Sequence, residues 1–96
     1  MLKVNSGHIV TIASLAGKIG GSSLTDYCSS KFAAFGFNEA LRNELKSMRS
    51  NIKTTVICPF FINTGMFAGV KVNSAASMSP ILDEGTVANR IVHAIL

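Results

Sequence analysis

Asp26-Tyr27-Cys28-Ser29-Ser30-Lys31-Phe32-Ala33 is the stretch from which the rest of the chain is read. In a helix, Tyr27 and Lys31 stand four residues apart on one face, with Cβ atoms about 5–6 Å apart. That spacing sets a phenol beside a permanent cation. A free tyrosine holds its proton until pH ~10 and is a poor base at neutrality. A neighbouring positive charge favours the tyrosinate and eases proton exchange, which is what general acid–base catalysis asks of a tyrosine. The plain alternative is a surface Tyr and Lys on an amphipathic helix, so the flanking sequence has to decide.

The helix carrying the pair is predicted to start at Thr25 or Asp26, either of which could cap it, and to run to about Met48. Ala34, Phe37, Leu41, Leu45 and Met48 recur at three- and four-residue spacing and predict its buried stripe. Phe32, Phe35 and Phe37 widen the apolar surface near its start, as where a helix packs on a sheet or a neighbouring subunit; such a cluster is more often core than a substrate box. Ser50-Asn51 ends it.

Upstream, Gly7-His8-Ile9-Val10-Thr11-Ile12-Ala13 reads as a buried strand of a parallel sheet. His8, at its start, reads as an exposed or hydrogen-bonded strand-end histidine rather than a ligand. Residues 14–23 form a loop whose glycines and serines suit turns and close backbone approach. Those glycines spell neither GxGxxG nor a P-loop. Ser14 stands just past the strand, at the carboxyl edge where open α/β sheets bind ligands; its ordinary alternative is a turn hydrogen bond.

Downstream, Ile52-Lys53-Thr54-Thr55-Val56-Ile57-Cys58 is the second strand, and Pro59 ends it. The loop from Phe60 to Phe67 then reaches the same carboxyl edge as Ser14, because parallel strand–helix–strand units are right-handed. Residues 70–80, without period, read as a flexible loop over a ligand. Asp83 or Thr86 starts a last helix through Leu96, with Val87, Ile91, Ala94 and Ile95 inward.

Composition narrows the function classes. Ninety-six residues, 48% hydrophobic and 15% charged, suit one small domain and not a disordered chain. The net charge is +4, but the nine Lys and Arg are scattered, so no nucleic-acid patch is indicated. Cys28 and Cys58 lack metal or redox spacing and read as small buried thiols in a reduced, intracellular setting. No apolar run reaches the ~18 residues of a membrane span.

Three matches make the chain resemble the short-chain dehydrogenase/reductase family. Ser14 lies at a strand end thirteen residues before Tyr27; Tyr27 and Lys31 match Tyr-x-x-x-Lys; and Pro59 to Thr64 matches the loop after the next strand, usually Pro-Gly-x-x-x-Thr. The runs 7–14, 26–37 and 53–67 look like the subgroup of epidermal-type retinol dehydrogenases and 17-beta-hydroxysteroid dehydrogenases, including type 11. The resemblance implies an α/β fold: part of a Rossmann-type doubly wound parallel sheet, with two strands, a long helix and a terminal helix. It implies hydride transfer between NAD or NADP and a lipophilic alcohol, retinoid or steroid, or its carbonyl.

By the same resemblance Tyr27 is the general acid–base and Lys31 eases its ionisation and bonds the nicotinamide ribose. Ser14 donates to the substrate oxygen. Ile62, through its backbone, and Thr64, through its hydroxyl, hold the carboxamide in the loop that Pro59 opens. Phe60 departs from the pattern, standing where the family usually has glycine. The glycine-rich turn, the residue that chooses between NAD and NADP, and the upstream asparagine of the tetrad have no counterpart, so residues 1–96 read as the C-terminal, catalytic half of a single domain. The family implies pairing through the helix bearing Tyr27, and full-length relatives at the endoplasmic reticulum or lipid droplets. The competing reading is a catalytically inactive fragment that at most docks to another subunit. A nucleic-acid or other binding module has no feature in its favour.

Overall fold

The computed structural model describes residues 1–60 and 82–96. In chain order these form a short 3-10 turn (Leu2–Val4), strand β1 (His8–Ile12), a second 3-10 turn (Leu15–Gly17), helix α1 (Thr25–Ser47), strand β2 (Lys53–Ile57) and helix α2 (Glu84–Ile95). Strands β1 and β2 are parallel, with His8 opposite Lys53 and Ile12 opposite Ile57. The predicted strands and helices are therefore present, the strands trimmed by one residue at both ends and the helices by one at the carboxyl end. The trimming is small because Lys53 N–H still donates to the Gly7 carbonyl and Ala13 N–H to that of Ile57, just outside the strands.

Parallel strands need a crossover, and α1 supplies it. It packs on both strands and on the Leu15–Gly17 turn, while α2 packs on β2. The buried stripe of α1 is not the expected one. Phe37 and Met48 are exposed at 61% and 60%, whereas Asn38 is the most buried side chain, at 1%. Ala34, Leu41 and Leu45 do face inward. The inward row is thus 34, 38, 41 and 45, one step round from a row that follows the phenylalanines. Apolar periodicity names an apolar row, and here a polar residue sits between its members. No partner for Asn38 Oδ1 exists among the described residues.

Two further expectations are corrected. The residue before α1 is Leu24, without a side-chain cap. Neither Thr25 nor Asp26 caps the helix; the Asp26 carboxylate accepts from the N–H of Tyr27 at 2.8 Å. The strands are half-buried rather than buried, with Ile12 exposed. In a two-stranded sheet each strand has one neighbour, which leaves its other edge uncovered among the described residues. The core is correspondingly small: Ala13, Cys28, Leu45 and Ile52. Leu45 and Ile52 each contribute on the order of 1.5–3 kcal/mol by burial.

Both later helix ends follow known rules. At the end of α1, Ser50 N–H returns to the Leu45 carbonyl and Arg49 N–H to that of Lys46, a Schellman motif with Arg49 in the left-handed region at φ 52°. Asp83, one of the two expected starts, caps α2, accepting from the N–H of Thr86 at 2.9 Å. Val87 and Ile91 are half-buried, but Ala94 and Ile95 of the expected face are exposed.

Candidate active site

Ser14 follows β1 by two residues and caps the Leu15–Gly17 turn, its Oγ accepting from the N–H of Ala16 at 3.2 Å. The ordinary turn role of this serine is therefore real. The turn is also fastened across the sheet edge, because Leu15 N–H donates to the Pro59 carbonyl at 2.9 Å. Proline has no N–H to offer a ligand, and this bond is what Pro59 contributes: it joins the segment after β2 to the segment after β1.

Tyr27 and Lys31 lie in the first two turns of α1, both half-buried. The Lys31 ammonium stands 5.6 Å from the centroid of the Tyr27 ring, within the range in which a cation is drawn to a π face. The spacing read from the sequence thus becomes contact. Among the described residues Lys31 has no ion pair; the ion pair found there joins Arg42 and Glu39 on the far part of α1.

The Ser14 turn and the Lys31 turn meet directly. Gly17 is buried, and a Cβ placed on it would stand 2.6 Å from the Lys31 carbonyl oxygen and 3.0 Å from its carbon. The loop that follows is held to the same helix by two side chains. Lys18 Nζ lies over the Phe35 ring at 4.9 Å. Cys28 Sγ accepts from Gly21 N–H at 3.3 Å and faces the Ile19 carbonyl at 3.9 Å. Sequence reasoning assigned close backbone approach to the loop glycines as a group and did not single out Gly17. Gly20 has open space where its Cβ would go, and the atoms nearest a Cβ on Gly21 belong to the flexible Leu24 side chain.

Ser14, Tyr27, Lys31 and Pro59 are therefore brought to one edge, the carboxyl ends of β1 and β2. Ile62 and Thr64 lie outside the described residues. A cavity of about 550 Å³ sits at the opposite end, lined by His8, Arg42, Lys46, Lys53 and Leu96 among others. It contains none of the candidates and is not this site. Among the described residues no group of His, Cys, Asp or Glu could hold a metal ion, and no helix is long and apolar enough to cross a membrane.

A serine turn seated on the Tyr-x-x-x-Lys face of a crossover helix matches what sequence comparison finds: the short chain dehydrogenase family profile fits residues 1–75. The chain belongs to the short-chain dehydrogenase family. Across its full length it is 48% identical to short-chain dehydrogenase/reductase family 16C member 6 of Bos taurus, of which it covers 30%. It is 46% identical to estradiol 17-beta-dehydrogenase 11 of Homo sapiens and 48% identical to epidermal retinol dehydrogenase 2 of Mus musculus, covering all of this chain and 31% of each relative. A solved short-chain dehydrogenase/reductase from Burkholderia phymatum, in complex with NAD, superposes with a TM-score of 0.66 at 26% identity, over 99% of this chain and 35% of that one. The chain thus spans about a third of the length of the relatives it matches, and the Rossmann-type α/β fold of the family is the fold its described elements adopt.

Proposed function

We propose that this chain carries the proton-transfer side of an NAD- or NADP-dependent oxidoreductase that interconverts a lipophilic alcohol, retinoid or steroid, and its carbonyl. The observation that carries the reading is the Lys31 ammonium 5.6 Å from the Tyr27 ring, on the helix turn against which the Ser14 turn rests. Names of the relatives, retinol and estradiol dehydrogenases, support the substrate class.

The donor set fits a nicotinamide sugar. Lys31 offers ammonium donors, without an ion pair among the described residues, next to a phenol and beside the carboxyl edge of a parallel sheet. Ribose hydroxyls accept from such a group, and Ile62 and Thr64 are the residues that would hold the carboxamide. When bound, the nicotinamide supplies the acceptor or donor of a hydride. In oxidation the alcohol carbon loses its hydride and the alcohol oxygen its proton. Tyr27 takes that proton at its phenol oxygen and returns one in the reverse direction. Ser14 Oγ donates to the same substrate oxygen and stabilises the charge that develops there. The Lys31 ammonium stands 5.6 Å from the Tyr27 ring, opposite in sign to the phenolate that accepts this proton. An intracellular setting belongs to this reading, supported by two free thiols, Cys28 and Cys58, and so does pairing of subunits through α1, supported by exposed Phe32 and Phe37.

Turnover of a retinol and of a 17-hydroxysteroid with NAD and NADP is the test. Tyr27→Phe removes one hydroxyl and is expected to lower kcat about 10²–10⁴-fold while the far-ultraviolet spectrum and melting temperature hold. Wild-type turnover in Tyr27→Phe would end the proposal. A protein that turns over neither substrate class with either dinucleotide would favour the inactive, docking role.

A further inference from the structure

The site contains a residue that touches no reacting atom and yet sets its geometry. We infer that Gly17 is the positioning residue of this site. Its missing side chain lets the turn begun by Ser14 seat on the backbone of Lys31, so that Ser14 and the Tyr27–Lys31 face keep one fixed separation. The inference rests on the catalytic reading above and deepens it.

Three observations carry it. First, the approach is backbone on backbone. The atoms a Cβ would strike at 2.6 and 3.0 Å are the carbonyl oxygen and carbon of Lys31. A helix carbonyl cannot swing aside as a flexible side chain can, so the turn itself would have to lift. Second, Gly17 and Ser14 move as one body. Gly17 N–H donates to the Ser14 carbonyl at 2.9 Å, and Ser14 Oγ accepts from Ala16 N–H across the same turn. Third, the contact falls at the functional helix turn. The residue under Gly17 is Lys31 itself, four residues from Tyr27. Lifting the turn by even an ångström alters where Ser14 stands relative to the phenol, and misplacement on that scale can cost about a hundredfold in rate.

The loop provides its own control. Gly20 lies three residues on and meets nothing within 4 Å of its would-be Cβ. Alanine there adds the same methyl group to the same loop without a clash.

The experiment compares Gly17→Ala, Gly20→Ala and wild type in the full chain, with amide hydrogen exchange and turnover measured on each. Gly17→Ala is expected to speed exchange at the Leu15 and Gly17 amides by tenfold or more. Those amides donate to Pro59 and Ser14, so their exchange reports the seat of the turn. Amides of α1 from Leu41 to Leu45 should keep wild-type exchange. In parallel, kcat should fall about 10- to 100-fold while dinucleotide affinity changes less than threefold; Gly20→Ala should match wild type in every measure. Unchanged exchange at Leu15 and Gly17 overturns the inference. So does full turnover in Gly17→Ala beside lost turnover in Tyr27→Phe, an outcome that leaves the catalytic reading standing. Full turnover in both variants overturns the catalytic reading as well. Should Gly17→Ala not fold, Lys18→Ala loosens the same turn without a clash, by removing the ammonium over Phe35. Leu15 exchange must then rise and kcat fall together; a loosened turn with wild-type kcat overturns the inference.

Discussion

The two ends of the β1–β2 sheet are joined in different ways. At the amino end polar side chains join the backbone bond from Lys53 N–H to the Gly7 carbonyl. Asn5 Oδ1 accepts from Ser50 Oγ at 3.1 Å and from Asn51 N–H at 2.9 Å, and His8 Nε2 is hydrogen-bonded to Thr55 Oγ1 at 2.8 Å. That is the hydrogen-bonded strand-end histidine expected from the sequence. At the carboxyl end the edge is closed by backbone contacts, Leu15 N–H on the Pro59 carbonyl and Gly17 flat against Lys31, with the Lys18 and Cys28 side chains holding the loop beyond. The difference teaches where chemistry can be placed. Side-chain stitching uses up the polar groups it employs. Backbone contacts hold two segments together without employing a side-chain group.

The comparison predicts that removing a reacting group at the carboxyl end lowers activity and spares stability, and that changes at the amino end do the reverse. The largest expected effect is Tyr27→Phe, a loss of about 10²–10⁴ in kcat with a melting temperature near wild type; a large loss of stability instead would break the comparison from one side. Next is Leu45→Ala, in the last turns of α1 near Ser50. Leu45 is buried, and its truncation should cost about 2–4 kcal/mol in denaturant unfolding with kcat per folded molecule unchanged.

Asn5→Ala should cost about 1–2 kcal/mol. It deletes an acceptor of two hydrogen bonds and puts alanine at φ 47°, where a Cβ is disfavoured. Turnover should again be unaffected, and a fall in kcat here would show that the two ends are coupled. The smallest effect is a gain. Arg49→Gly, at φ 52° in the Schellman motif, should stabilise by about 0.5–1 kcal/mol through relief of the left-handed position, read as a higher unfolding midpoint without a change in activity.

Much of this was legible in the residues. The β-branched runs around Ile9–Ile12 and Lys53–Ile57 named both strands, and the crossover helix between them made the pairing parallel. Asp83 announced the start of α2 because a carboxylate at that position satisfies an N–H that helix geometry leaves open. The start of α1 was less legible: Thr25 and Asp26 are both good caps in isolation, yet the helix begins at Thr25 behind an uncapped Leu24. The buried row of α1 was misread at Phe37 and Met48 because hydrophobic spacing cannot anticipate a buried asparagine. Of the candidate site, Ser14, Tyr27 and Lys31 were named through the match to the family's motifs, and the four-residue interval in a helix already set Tyr27 beside Lys31.

The sequence by itself therefore determined the elements and the pairing of phenol with ammonium, which depend on residues near in the chain, and the parallel order of the strands, which follows from the helix that connects them. Only the tertiary structure decided which glycine meets the helix, that Pro59 anchors the Ser14 turn through Leu15, and that Asn38 rather than Phe37 faces inward. Those are contacts between segments brought together by folding. Their outcome depends on the depth and rotation at which α1 settles against the strands, and no local pattern along the chain encodes that.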